Sequence, residues 1–266
     1  MEILLTPLFL KPLLLTLWLS LVFSILGIFV LIKRMSFFSD GIAHASIFSL
    51  ALAFLFNFDF VILGILGVIL FSSLIYFLEK RTPIHSDALI GLIFVSFLSL
   101  GIILVSTKQG YQPELLNLFI GNILTINDFD FYLSLVVSFF ILLFIIINFS
   151  KLILISVDQT EAILRGLKIN FYEYIFYLLL GINTILGIRI MGIVLVTAFL
   201  ILPPMTASLI SSSFKRMVFL SIFFGLLFTL TGFIVSFLFN LPLGATIILL
   251  QTFAFYLIFI IKLLLS

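Results

Sequence analysis

Asp40 and His44 lie four positions apart in the stretch Lys-Arg-Met-Ser-Phe-Phe-Ser-Asp-Gly-Ile-Ala-His-Ala-Ser, residues 33–46. On a helix that spacing is a rotation of about 400°, so the side chains stand about 40° apart, one turn above each other. A carboxylate and an imidazole so placed can share one divalent cation. The apolar run that follows reads as a membrane helix, and ionisable groups inside such a helix are costly enough to be functional candidates. The bland alternative is a helix start at the interface, with Asp40 as its cap and His44 tolerated. The local pattern leaves both open. Other reactive constellations are missing from the sequence. It contains no Gly-Lys pair of the phosphate-loop kind and no hydrolase elbow, so any ATP must be bound by another chain. It has no cysteine, which leaves His, carboxylate, backbone and water as metal ligands.

The elements that must position this pair are membrane helices. The chain has 266 residues, of which 64% are hydrophobic and 9% charged, with mean hydropathy +1.47. Soluble domains carry about 25% charged residues, so that class is excluded. Apolar runs of about 20 residues match the length of a spanning helix, and they lack the alternation of a barrel strand. We read an all-α polytopic membrane protein with about nine segments and one domain over residues 1–266. The segments are near 12–32, 37–56, 60–78, 87–106, 131–149, 174–188, 190–210, 218–239 and 243–261. The first is read as a retained span and not a signal peptide.

Two segments are irregular. The second has only about 15 apolar or small residues after Asp40, so its first turns are expected to lie inside the protein. The seventh contains Pro203-Pro204, which predicts a helix broken there. Residues 107–130 form the longest polar break, with Glu114, Asp128, Asp130 and a short apolar stretch at 115–124 read as a surface or re-entrant helix. Residues 156–170 read as a short polar helix on one side of the membrane. Asp158 followed by Glu161 is a helix start and Gly166 suits the stop. If the Lys33-Arg34 turn is cytoplasmic, nine crossings place ten of the 13 basic residues inside. That obeys the positive-inside rule, with the N-terminus outside and the C-terminus cytoplasmic.

Residues 33–46 closely resemble the signature after the first span of ABC-type zinc/manganese permeases. Four further stretches match in the same order: Asp87-Ala-Leu-Ile-Gly-Leu, Leu118-Phe-Ile-Gly-Asn-Ile-Leu, residues 192–208 around Pro203-Pro204, and Leu241-Pro-Leu-Gly-Ala-Thr. The resemblance covers essentially the whole chain and is strongest to the bacterial zinc-uptake permease. It implies a cobalamin-permease-like ABC importer fold in a bacterial cytoplasmic (inner) membrane. It also implies that this chain is not an enzyme and binds no cofactor, but transports Zn²⁺, with Mn²⁺ or Fe²⁺ as alternatives. The implied partners are a separate ABC ATPase, an extracytoplasmic metal-binding protein, a second copy of the chain and membrane lipid, with no nucleic acid. Asp40 and His44 match the family's acidic and histidine positions on the ion path. Asp87 is a weaker candidate that a helix cap also explains. Asp158, Ala162 and Gly166, with Glu161, match the loop that docks on the ATPase, and Pro203 and Pro204 would line the path. Other readings stay open: a permease of the same architecture for a siderophore or cobalamin, or a stand-alone ion-coupled carrier or channel. Such carriers often show inverted repeats and more intramembrane charge, which the sequence does not display.

Overall fold

The computed structural model describes residues 7–56, 58, 60–106 and 126–265. Asn57, Asp59, Lys108, Glu114, the apolar stretch 115–124 and the Leu118–Leu124 match lie outside the described residues. The described chain is helical almost throughout. Its elements are α1 (Pro7–Ile32), α2 (Phe38–Phe56), α3 (Phe60–Arg81), α4 (Ser86–Ser106), α5 (Asp128–Ile147), α6 (Phe149–Val157), α7 (Gln159–Leu164), α8 (Ile169–Met191), α9 (Ile193–Ile210), α10 (Phe214–Phe239) and α11 (Leu243–Leu265). All except α2, α6 and α7 are long and apolar enough to cross a membrane, which gives eight such helices. The apolar part of α2 is shorter, Phe38–Ala53.

The shortness of α2 follows from where it starts. The end of α1 closes in a Schellman motif: Arg34 N–H donates to the Leu31 carbonyl at 3.2 Å and Met35 N–H to that of Val30 at 2.9 Å. Arg34 occupies the left-handed region, φ 55°, which glycine normally fills. The chain then turns back into the protein, and Met35, Phe38 and Ser39 are fully buried. Phe38 meets Tyr177, two turns inside α8, with ring centres 6.2 Å apart. The backbone groups at the start of α2 are therefore covered by protein, as a membrane requires.

Two sets of helices flank α8. On one side α2 packs against α3 and α4; on the other α1, α9, α10 and α11 pack together, and α5 leans on α1 and α8. In lipid the association of such helices rests on close packing and not on removal of apolar surface from water. Glycines provide the closeness. A Cβ on Gly27 would lie 2.2 Å from the Leu200 carbonyl oxygen of α9, and one on Gly232 2.4 Å from Ile247 of α11.

The Gly27 contact bears on the proline pair. The expected break at Pro203-Pro204 is not where the chain breaks. α9 runs without interruption from Ile193 to Ile210 with both prolines inside it. Proline removes the amide that would bond four residues back, so the Phe199 and Leu200 carbonyls lose their helical donors. Neighbours cover the gap: Gly27 packs on the Leu200 oxygen, and Phe199, Pro203 and Pro204 are buried. The discontinuity lies instead at Gly192, φ 79°, which ends α8 and starts α9.

Polar residues mark the two ends of the bundle. At one end Lys11 pairs with Asp128 at 2.5 Å and Arg189 with Asp130 at 3.2 Å. Asp128 and Asp130 therefore belong to the first turn of α5 and tie it to α1 and α8; the polar break ends before them, with Asn127 capping the helix through Asp130 N–H. At the opposite end Lys33 and Lys80 converge on Glu173.

Candidate functional site: the Asp40–His44 face

Asp40 is the third residue of α2, whose first turn opens with the Phe37 carbonyl accepting from Gly41 N–H at 2.9 Å. The cap position is Phe37, so the reading of Asp40 as N-cap does not hold. Its carboxylate instead reaches across to α9, where the Thr197 hydroxyl donates to Oδ1 at 3.1 Å. The same hydroxyl lies 2.8 Å from that of Ser39 and 3.1 Å from the Ile193 carbonyl. Asp40 thus sits in a small group of oxygens drawn from α2 and α9, the two helices that bridge the flanking sets. It is partly buried.

His44 is one turn further along the same face, also partly buried, with its ring edge-on to Phe94 of α4 at 4.6 Å between centres. Successive contacts bring α2 and α4 together in parallel: a Cβ on Gly41 would lie 3.0 Å from Ile90, and Phe48 meets Phe97 at 5.2 Å. On this ladder Asp87 falls one turn before Ile90, beside the start of α2. It is in the first turn of α4 and not on its cap, since His85 supplies the carbonyl for Ala88 and Leu89 N–H. One Asp87 oxygen is buried without a hydrogen-bond partner. Among the described residues, no group of three or more His, Asp or Glu side chains gathers around a single point. Pro203 and Pro204 are six and seven residues past Thr197, about 9 Å further along α9, and do not share the Asp40 oxygens.

The 156–170 segment is divided. Ser156 and Val157 finish α6, Lys168 precedes α8, and the separate helix is only Gln159–Leu164. Its ends are those the sequence predicted. Asp158 caps it by accepting from Glu161 N–H at 3.0 Å. Gly166, φ 70°, closes it in a Schellman motif, with Gly166 N–H on the Ile163 carbonyl at 2.8 Å and Leu167 N–H on that of Ala162 at 3.1 Å. Glu161 pairs with Arg165 at 2.8 Å. Ala162, which the resemblance implies belongs to the docking loop, is fully buried against the protein itself. The exposed apolar side chains of this helix are Ile163 and Leu164, 64% and 77% exposed.

Sequence reasoning missed Ser39 and Thr197, and it left Glu173 in a loop by starting the sixth segment at Tyr174. The available signal for Glu173 was an acidic side chain within the apolar run of Ile169–Met191.

Comparison with known proteins agrees with this fold. The chain is 35% identical over 235 residues to the manganese import system permease protein ScaB of Streptococcus gordonii, covering 88% of this chain and 84% of that one. It is 29% identical to the high-affinity zinc uptake system membrane protein ZnuB of Buchnera aphidicola, covering 86% and 88%. Among solved structures, PsaBC from Streptococcus pneumoniae in complex with Fab superposes with a TM-score of 0.79 at 32% identity, covering 96% of this chain and 91% of that chain. The model of the ABC 3 transport family matches residues 6–262, and the chain belongs to that family of multi-pass ABC transporter permeases.

Proposed function

We propose that this chain is the membrane-spanning subunit of an ATP-driven importer of divalent transition metal, paired with a second copy of itself. Hydrolysis belongs to a separate ATPase, and an extracytoplasmic binding protein delivers the ion. The Lys33 end is cytoplasmic in this reading, because it gathers most of the basic residues. The observation that carries the reading is the Asp40–His44 face, held by Thr197 at the junction of the two helix sets. A transit site must release its ion, so a carboxylate and an imidazole completed by water suit it better than a closed four-ligand cage. Asp87, one turn nearer the cytoplasmic end, is the next stop on this route.

The sequence resemblance favours Zn²⁺. The oxygens around Asp40 favour Mn²⁺, since carboxylate and water ligation suits that harder ion. The manganese name of a 35% identical relative adds support, and we place Mn²⁺ first, ahead of Zn²⁺ and Fe²⁺. α7 is the contact for the ATPase. Exposed Ile163 and Leu164 on a short helix at the cytoplasmic end form an apolar patch for a partner to cover.

Uptake into proteoliposomes holding the chain and its ATPase, supplied with the metal-loaded binding protein, tests this directly. With the loaded binding protein outside, Mn²⁺ should enter only when ATP is supplied inside, on the ATPase face, and excess Zn²⁺ should compete poorly. Uptake independent of ATP would replace the importer with a stand-alone carrier. Preference for Zn²⁺ would restore the zinc assignment.

A further inference from the structure

Glu173 is a buried charge in a membrane-crossing helix that the ion path does not use. Its side chain is 5% exposed and receives three donors from three other parts of the chain. Lys33, just past α1, reaches Oε1 at 2.8 Å; Lys80, in the last turn of α3, reaches Oε2 at 2.5 Å. Gln159, the first residue of α7, donates from Nε2 to Oε1 at 3.2 Å. A second carboxylate stands beside this one. Glu79 accepts from the Ser86 hydroxyl of α4 at 2.8 Å and from the Tyr177 hydroxyl of α8. The Lys33 ammonium lies 5.9 Å from the centre of the Tyr177 ring. Two lysines and two glutamates are thus brought together from several helices. Apolar side chains often replace a buried ion pair without loss of stability, so stability alone does not account for this one.

The cluster has two connections to the helix that bears Asp40. Lys33 leads directly into the Arg34 turn, and Met35 and Phe38 beyond it are fully buried. Tyr177 packs on Phe38. On the other side, α7 borders an open surface groove of about 570 Å³, lined by Lys80, Gln159, Ile163, Leu167, Lys168 and Phe171 among others. The Gln159 amide bridges α7 to α8 beside this groove.

We infer that Gln159, Glu173 and Lys33 form the strut that passes displacement of α7 to the start of α2. Gln159 and Glu173 are then positioning residues for transport, since they touch no metal. This rests on the reading of α7 as the ATPase contact.

The test uses the full permease–ATPase complex with its binding protein in proteoliposomes, with Mn²⁺ as the probe. Gln159→Leu leaves all four charges in place, so folding is spared. It should keep the ATPase bound and leave the half-saturating Mn²⁺ concentration unchanged. The Mn²⁺ moved per ATP hydrolysed should fall by about tenfold, the scale of one lost hydrogen bond to a charged group. Glu173→Gln should lose at least as much, and the double variant no more than Glu173→Gln alone, because both act through one contact. If Glu173→Gln does not fold, Gln159→Leu alone decides. An unchanged transport ratio in Gln159→Leu, a shift in its half-saturating concentration alone, or additive losses in the double variant would overturn the strut. Leu164→Glu separates this from the underlying reading. If it leaves the ATPase bound, α7 is not the contact and the strut falls with it. If it releases the ATPase while Gln159→Leu transports normally, the contact stands and only the strut is lost.

Discussion

Thr197 connects Asp40 to α9, and its hydroxyl is the smallest part of the site that can be removed alone. Thr197→Val keeps the shape and deletes a 3.1 Å hydrogen bond to a carboxylate. Mn²⁺ uptake should drop by about tenfold, as expected for a hydrogen bond to a charged group, while Thr197→Ser should stay near wild type. Equal uptake by Thr197→Val and wild type, at equal membrane levels, would remove Thr197 from the site. Asp40 and His44 were legible in the sequence because ionisable side chains are rare in an apolar run. Thr197 and Ser39 were not, and the reason is physical. Hydroxyl residues are common in these helices and mostly bond their own backbone, as Thr16 does with the Pro12 carbonyl and Thr206 with that of Leu202. The Thr197 hydroxyl lies within reach of its local Ile193 carbonyl too, so only the packing of α2 on α9 reveals its alternative acceptor.

At the scale of the helix, close approach was the hidden variable. The apolar runs located every long described helix to within a few residues, because length and hydropathy decide what can span. They misplaced the break in the seventh segment, because proline was counted as a local fault without the neighbour that compensates for it. Gly27 is that neighbour. Gly27→Ala sets a methyl against the Leu200 carbonyl and should lower the stability of the detergent-purified protein by about 1–3 kcal/mol, the usual cost of overpacking. A thermal melt that does not move would mean that α1 can draw back freely. α7 shows the opposite balance: its cap and stop were readable from Asp158 and Gly166, while its outward face was not. Burial turned Ala162 inward and left Ile163 and Leu164 exposed. Leu164→Glu should therefore prevent co-purification of the ATPase while membrane insertion is kept. Full recovery of the ATPase with this variant would remove α7 as the docking element.

For the whole molecule, the proposed orientation puts the Lys33 end in the cytoplasm and the Lys11 end outside. The native chain has no cysteine, so single cysteines report cleanly. Leu241→Cys, in the α10–α11 turn, should react with an impermeant thiol reagent in intact cells, and Thr160→Cys in α7 should react only after lysis. The reverse pattern would invert the protein. The central claim is that the imported ion passes the Asp40–His44 face, and Asp40→Asn tests it most directly. The substitution keeps the size of the side chain and an oxygen to accept from Thr197, and removes only the charge. ATP-driven Mn²⁺ uptake by the assembled importer is the measurement. The account predicts that uptake falls to background while the ATPase remains bound; near-normal uptake would show that Asp40 serves only to pack α2 against α9 and would contradict the metal site.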